Sequence, residues 1–224
     1  MARDNSPRER QRQQLERKLA RRAGYDRILI VSEGVKTEPN YFGEIRRACR
    51  LHTANVEVWP CELGTAPIQV VQYARELFEF GDKHKNIQPR AFEQVYAVFD
   101  RDNHGSYFDA LAMAESLDVK LKNDNKQLIR FEAITSVPSF EFWLLLHYED
   151  IQAPIHRDEV MRRLKSHIPG YEKGATRAFR ITRDRLSVAT QRAQALMTKY
   201  TARSDPEPFT AIVKLVALLT QLRS

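Results

Sequence analysis

The chain has 224 residues, with 36 Lys/Arg against 29 Asp/Glu and a formal net charge of +7. This length is enough for one domain with a sizeable hydrophobic core. No apolar run approaches the ~20 residues of a transmembrane helix, and residues 1–22 lack the apolar stretch of a signal peptide. Two cysteines, Cys49 and Cys61, fit neither a disulfide framework nor a zinc site. We therefore expect a cytoplasmic protein with ordinary thiols and no membrane partner.

The charge is distributed unevenly along the chain. Residues 1–22 contain eight Lys/Arg and three Asp/Glu, residues 23–156 contain 14 and 20, and residues 157–203 contain 12 and 4. An acidic middle between two basic segments suits a nucleic-acid enzyme, in which carboxylates bind metal and basic segments bind phosphates. We expect residues 1–22 to form a basic flexible tail, which could equally serve only to keep the protein soluble.

Apolar runs typical of buried strands alternate with helical patterns up to about residue 138. Strands are predicted at 27–32, 55–60, 94–99 and 129–135, with helices near 38–51, 66–80 and 106–118. Strand–helix alternation at this spacing predicts right-handed βαβ units. The predicted fold class is therefore α/β, with a mainly parallel four-stranded sheet flanked by helices.

The remainder of the chain has a helical pattern. The segment SFEFWLLLHYE predicts an apolar helix with Ser139 as its N-cap, and further helices are predicted near 157–167, 177–199 and 208–222. The two glycines of residues 168–177 predict a mobile loop between two of these helices. We expect residues 151–224 to form a helical extension packed on the domain of residues 23–150.

The segment ILIVSEGVKTEPNYF, residues 28–42, joins the first strand to the first helix. Gly34 permits a tight turn, and Thr37 is predicted to cap a helix that has a proline in its first turn. Glu33 then lies at the carboxyl end of a central strand, where open α/β sheets bind their ligands. The alternative is that Glu33 only begins a solvated loop.

The third strand ends in the segment VYAVFDRDNHG, which contains Asp100 and Asp102. Side chains at positions i and i+2 of an extended segment point the same way, so both carboxylates can face one hard cation. Mg²⁺ suits such a site because it uses few protein ligands and leaves positions for water and phosphate. Alternatively, Asp100 caps the following helix, or the pair occurs by chance.

Glu33 and the two aspartates belong to the same predicted sheet edge. A doubly wound order that places the first strand beside the third would bring these three carboxylates together. They would repel one another unless a cation neutralised them. The sequence therefore predicts a site for Mg²⁺ or Mn²⁺ formed by Glu33, Asp100 and Asp102.

Three segments in order, VSEGVKTEPNYF, QVYAVFDRDNHG and SVPSFEFWLLLHYE, resemble the RloB-like family. This Toprim-type family is associated with bacterial restriction–modification loci and phage abortive infection. The resemblance covers residues 25–222 and implies a Toprim-like domain, with Glu33 matching the family's glutamate and Asp100 and Asp102 its DxD pair. In Toprim proteins generally these acids bind Mg²⁺ and serve the cleavage or joining of phosphodiesters.

Further candidate residues lie outside the predicted metal site. Glu141 could stabilise the first turn of its own helix. Alternatively, it could bind a second metal or orient a water molecule, since the fourth strand delivers its helix to the same sheet edge. Lys173 could close over a phosphate and neutralise charge in the transition state, or could belong to a solvated basic loop. Lys36, Arg177 and Arg180 are candidate nucleic-acid contacts.

The sequence therefore favours an Mg²⁺-dependent, Toprim-type endonuclease that cleaves phosphodiesters of DNA or RNA in anti-phage defence by abortive infection. The alternative is a non-catalytic or regulatory subunit that binds nucleic acid or an ATPase encoded nearby, since the chain has no GxxxxGK[ST] phosphate loop. A haloacid-dehalogenase-like phosphatase is disfavoured, because its nucleophilic aspartate follows the first strand of the domain, where this chain has Glu33.

Overall fold

Each apolar run predicted as a strand is a strand in the computed structural model, which describes residues 25–101 and 105–222. The strands are β1 (Ile28–Ser32), β2 (Val56–Pro60), β3 (Gln94–Asp100) and β4 (Arg130–Val137). The predicted tail and the predicted ligand Asp102 lie outside the described residues. All five residues of β1 are buried, as expected for a strand covered on both faces of a sheet.

The sheet has the strand order β2-β1-β3-β4-β5, and its first four strands are parallel. The fifth strand, β5 (Phe209–Thr210), pairs antiparallel with β4. The prediction of four strands was therefore wrong by one, because residues 208–222 were assigned to a single helix. A strand of two residues is too short to produce an alternating pattern, and its pairing with β4 depends on tertiary structure.

Helices cover both faces of the sheet. They are α1 (Thr37–Ala48), α2 (Pro67–Phe80), α3 (Tyr107–Leu117), α4 (Phe140–Leu145), α5 (Arg157–His167), α6 (Ala178–Thr182), α7 (Leu186–Lys199) and α8 (Ile212–Gln221). The single helix predicted at 177–199 is divided into α6, a 3₁₀ turn at Arg183–Arg185 and α7. Thr182 ends α6 and donates its hydroxyl proton to the carbonyl of Ala178 at 2.8 Å, a local bond that competes with regular helix geometry.

The start of α1 differs from its predicted form. Lys36 occupies the N-cap position and makes no side-chain capping bond, while Thr37 is the first helical residue. The Thr37 hydroxyl instead accepts a hydrogen bond of 2.8 Å from the amide of Gly174. Asp100 is not the cap of the following helix either, because Ser106 occupies the N-cap position of α3.

Two hydrophobic clusters lie on opposite faces of the sheet. One consists of α2, α3 and the facing side chains of the sheet. The other joins α1 and Trp143 of α4 to side chains from α5 through α8, so the sheet and the C-terminal helices share one core. The thiols of Cys49 and Cys61 are free. No helix in the described part of the chain is long and apolar enough to cross a membrane.

Candidate active site

Glu33 and Asp100 are neighbours at the carboxyl edge of the sheet. The amide of Glu33 continues the parallel ladder by donating to the carbonyl of Val98 at 2.8 Å. The Glu33 carboxylate then accepts a hydrogen bond of 3.0 Å from the amide of Asp100. The structure therefore confirms that β1 and β3 are adjacent and that both acids lie at one edge.

Glu38, in the first turn of α1, also lies at this edge. The side chain is 5% exposed, and its Oε2 has no hydrogen-bond partner among the described residues. It folds against the turn at Gly34, where an added Cβ would be 1.9 Å from this oxygen. Sequence reasoning missed Glu38. The sequence has no local signal for its burial, which depends on how α1 docks over the sheet edge.

Glu141 is the fourth acid of the site. Ser139, at the N-cap position of α4, donates its hydroxyl proton to Glu141 Oε2 at 2.9 Å instead of capping the helix backbone. Glu141 is 3% exposed. Since β4 ends beside β3, with Ser136 opposite Asp100, α4 begins next to Asp100. We call Glu33, Glu38, Asp100 and Glu141 the carboxylate cluster.

Two carboxyl groups of the cluster, those of Asp100 and Glu38, have raised pKa values. Burial raises the pKa of Asp100 well above its usual value, and the charges of Glu38, Glu33 and Glu141 raise it further. Burial, followed by Glu141 and Glu33, raises the pKa of Glu38 to about 7. A cation among these oxygens would reverse both effects.

The chemistry of the cluster fits a hard divalent cation. Its donors are carboxylate oxygens, one of them buried without a partner, and their mutual repulsion would be relieved by positive charge. Within residues 25–101 and 105–222, no three Asp, Glu, His or Cys side chains are already arranged to hold a metal ion. The predicted third ligand, Asp102, lies outside those ranges.

The loop between α5 and α6 covers the cluster. Gly174 attaches it to α1, since its amide donates to Thr37 and its carbonyl accepts from Asn40 Nδ2 at 3.1 Å. The loop thereby places Lys173 Nζ 3.9 Å from Glu141 Oε2, with the lysine side chain 54% exposed. The Tyr171 hydroxyl is buried near Glu141 without hydrogen-bond geometry, and burial raises its pKa. The sequence predicts that this loop is mobile. In the structure the loop contacts α1 through the two hydrogen bonds of Gly174.

The three candidate nucleic-acid contacts lie at two places. Lys36 is exposed at the start of α1, with its aliphatic stem against Gly174. Arg177 and Arg180 are exposed and lie beside α1 near Glu44. Their backbone amides both donate to the Glu44 carboxylate. Lys36 is therefore beside the carboxylate cluster, whereas the two arginines belong to a separate surface.

The fold and the site together define an α/β protein with acidic side chains gathered at the carboxyl edge of a mostly parallel sheet. The model of the RloB-like protein family matches residues 28–219, and the chain belongs to this family. This match confirms the resemblance drawn from the three sequence segments. No curated protein and no solved structure matches the chain.

Proposed function

We propose that this RloB-like protein is a divalent-metal-dependent nuclease of bacterial anti-phage defence. The observation that carries the proposal is the convergence of Glu33, Glu38, Asp100 and Glu141 at one sheet edge, where two of the carboxyl groups have raised pKa values. Glu38 and Glu141 are buried, and acids gathered in this way cost stability; a site for a cation that acts on phosphates explains their presence. The family's association with phage abortive infection supports the biological role, and a Toprim-like catalytic domain is part of the same proposal.

The protein groups have separate roles in this proposal. Glu33 and Asp100, together with Asp102, would hold Mg²⁺ or Mn²⁺, and Glu38 Oε2 is available as a further oxygen ligand. The bound metal would lower the pKa of a water molecule and stabilise negative charge on the phosphate. Lys173 donates from the loop to a phosphate oxygen, while Ser139 fixes the orientation of Glu141 through the bond to Oε2.

Cleavage assays test the proposal. Purified protein, alone and with any ATPase found to be encoded nearby, is incubated with a panel of DNAs, total RNA and tRNA in Mg²⁺, Mn²⁺ or EDTA. We expect metal-dependent cleavage that falls by at least about 100-fold in Glu33→Gln. Glu76→Gln is the matched control, because Glu76 is an exposed glutamate of α2 on a remote face. Absence of cleavage under every condition would instead favour the non-catalytic, nucleic-acid- or ATPase-binding subunit.

A further inference from the structure

A cleft lies on the surface of α1, beyond the carboxylate cluster. This cleft of about 500 Å³ opens between the C-terminal half of α1 and the segment 176–183. Its lining includes four arginines, Arg47, Arg177, Arg180 and Arg183, and we call it the arginine cleft. Phe179 contributes an apolar side to the cleft, and Glu44 is the acidic residue in its lining.

The four arginines of the cleft outnumber Glu44, the acidic residue of its lining, so the cleft keeps an excess of positive charge. All four arginines are exposed, and none forms an ion pair with another residue of the described chain. Both oxygens of Glu44 are occupied by backbone amides, Oε1 by that of Arg177 and Oε2 by that of Arg180 at 3.2 Å. Several unpaired guanidinium groups in one concave site repel one another and attract an anion.

Polar side chains of α1 form hydrogen bonds with the backbone of the segment that lines the cleft. Asn40 binds Gly174, and one turn further along α1 Glu44 binds the amides of Arg177 and Arg180. Arg177 adopts a left-handed conformation, with φ of 73°, immediately before α6. These contacts fix the backbone beneath two of the four arginines, Arg177 and Arg180.

The chemistry and size of the arginine cleft select its ligand. Guanidinium groups bind phosphates through paired, charge-assisted hydrogen bonds. The volume of about 500 Å³ is that of a small-ligand pocket, enough for a nucleotide unit. A rigid duplex exposes its phosphates on a convex surface and does not enter such a cleft, whereas a flexible single strand can fold into it.

The arginine cleft and the carboxylate cluster share the helix α1, which fixes the distance between them. Glu38 and Arg47 are nine residues apart on α1, so they are separated by about 14 Å along the helix axis. That distance corresponds to a few nucleotides of an extended strand. The connecting segment also follows α1, carrying Lys173 beside the carboxylates and Arg177 in the cleft.

We propose that the arginine cleft binds backbone phosphates of single-stranded nucleic acid, a few nucleotides from the phosphodiester at the carboxylate cluster. This assignment rests on the proposed nuclease function for the role of the bound strand. Phosphate binding by the cleft is a property of the arginines alone and can be measured without metal or cleavage.

The test measures binding by fluorescence anisotropy in EDTA, with a short fluorescein-labelled oligonucleotide as a single strand or as a duplex, over a salt series. Two variants, Arg177→Ala/Arg180→Ala and Arg47→Ala/Arg183→Ala, each remove two charges from the cleft. The control, Arg162→Ala/Arg185→Ala, removes two charges elsewhere, since Arg162 pairs with Glu159 and Arg185 lies 4.9 Å from the ring of Tyr148. Thermal unfolding of each variant verifies that it is folded.

We expect each cleft variant to weaken single-strand binding about tenfold. Each should also reduce the salt slope of log affinity by about 1.4, since a single-strand phosphate contact contributes about 0.7. The control pair should retain both values to within about threefold in affinity. Wild-type affinity and slope in both cleft variants, or an equal loss in the control, would overturn the assignment. Equal wild-type affinity for duplex and single strand would overturn its single-strand part.

Failure of the cleft assignment is distinguishable from failure of the proposed nuclease. If the cleft variants lose binding but the wild type cleaves nothing in Mg²⁺ or Mn²⁺, the phosphate site stands and the nuclease proposal falls. If the wild type cleaves and the cleft variants bind and cleave equally well, the nuclease proposal stands and the cleft assignment falls.

Discussion

Replacement of Glu38 by glutamine should stabilise the metal-free protein at neutral pH. Glu38 is buried, and its carboxyl pKa rises from 4.5 to about 7 because of burial and its acidic neighbours. The folded protein therefore holds a proton between these two pH values that the unfolded chain releases. Its free energy of unfolding falls as the pH rises through that window. Glutamine has the same shape and cannot ionise, so this loss is absent from the variant.

The size of the effect follows from the pKa values. A rise from 4.5 to about 7 corresponds to roughly 3 kcal/mol at about 1.4 kcal/mol per pKa unit. The buried amide of glutamine adds donors that need partners, which offsets part of this gain. We expect Glu38→Gln to raise the free energy of unfolding by about 1–2 kcal/mol near pH 7, and its melting temperature by a few degrees.

Urea-induced unfolding in EDTA, followed by tryptophan fluorescence near pH 7 and near pH 4.5, measures this effect. Near pH 4.5 the advantage of Glu38→Gln should be lost, because Glu38 is then largely protonated in the folded protein. Only the cost of the buried amide remains, so the variant should be less stable than the wild type by about 1–2 kcal/mol. Glu76→Gln, on the exposed face of α2, is the control and should change little at either pH. An unchanged or lowered stability of Glu38→Gln near pH 7, with the same pH profile as the wild type, would refute the electrostatic reasoning.

Three further predictions concern other parts of the molecule. Asp100→Asn should lower Mg²⁺ or Mn²⁺ affinity by about 10- to 100-fold, and unchanged affinity in calorimetry would contradict the proposed ligand role. Burial lowers the pKa of His147 from 6.5 to about 4, so the free energy of unfolding should rise with pH in that window, and His147→Gln should abolish this component of the slope in urea titrations. Gly174→Ala should destabilise the protein by about 1–2 kcal/mol, because φ at Gly174 is +82° and the added Cβ would lie 2.9 Å from the Cβ of Lys36. Loss of this loop contact should also expose Lys173 to trypsin. Wild-type resistance to trypsin would mean that the loop does not depend on this contact.

The strands and the first half of the site were predictable because their signals are local. Continuous apolar runs identify β1 and β3, and parallel strands necessarily end at the same edge of a sheet. The neighbourhood of Glu33 and Asp100 follows from these two facts and a doubly wound strand order.

The remainder of the site was not predictable because it depends on how helices dock. Glu38 is an ordinary first-turn glutamate in the sequence, and its burial results from the position of α1 over the sheet edge. Arg47 is separated from Arg177 by more than a hundred residues, and only the docking of α6 on α1 brings them to one cleft. Thr37 resembles a helix cap in the sequence, but in the structure a loop amide occupies its hydroxyl.

The two-residue strand β5 is translated long after its partner β4, and this delay has a consequence for folding. Thr210 pairs with Ser136 of β4, their hydroxyls are 3.0 Å apart, and Ser136 is in turn the neighbour of Asp100. While the chain is being translated, Ser136 and Val137 at the outer edge of β4 lack their strand partners until Phe209 and Thr210 have left the ribosome. An exposed edge of this kind pairs readily with other chains. A polypeptide that terminates before Phe209 is therefore expected to aggregate instead of forming a shortened version of the site.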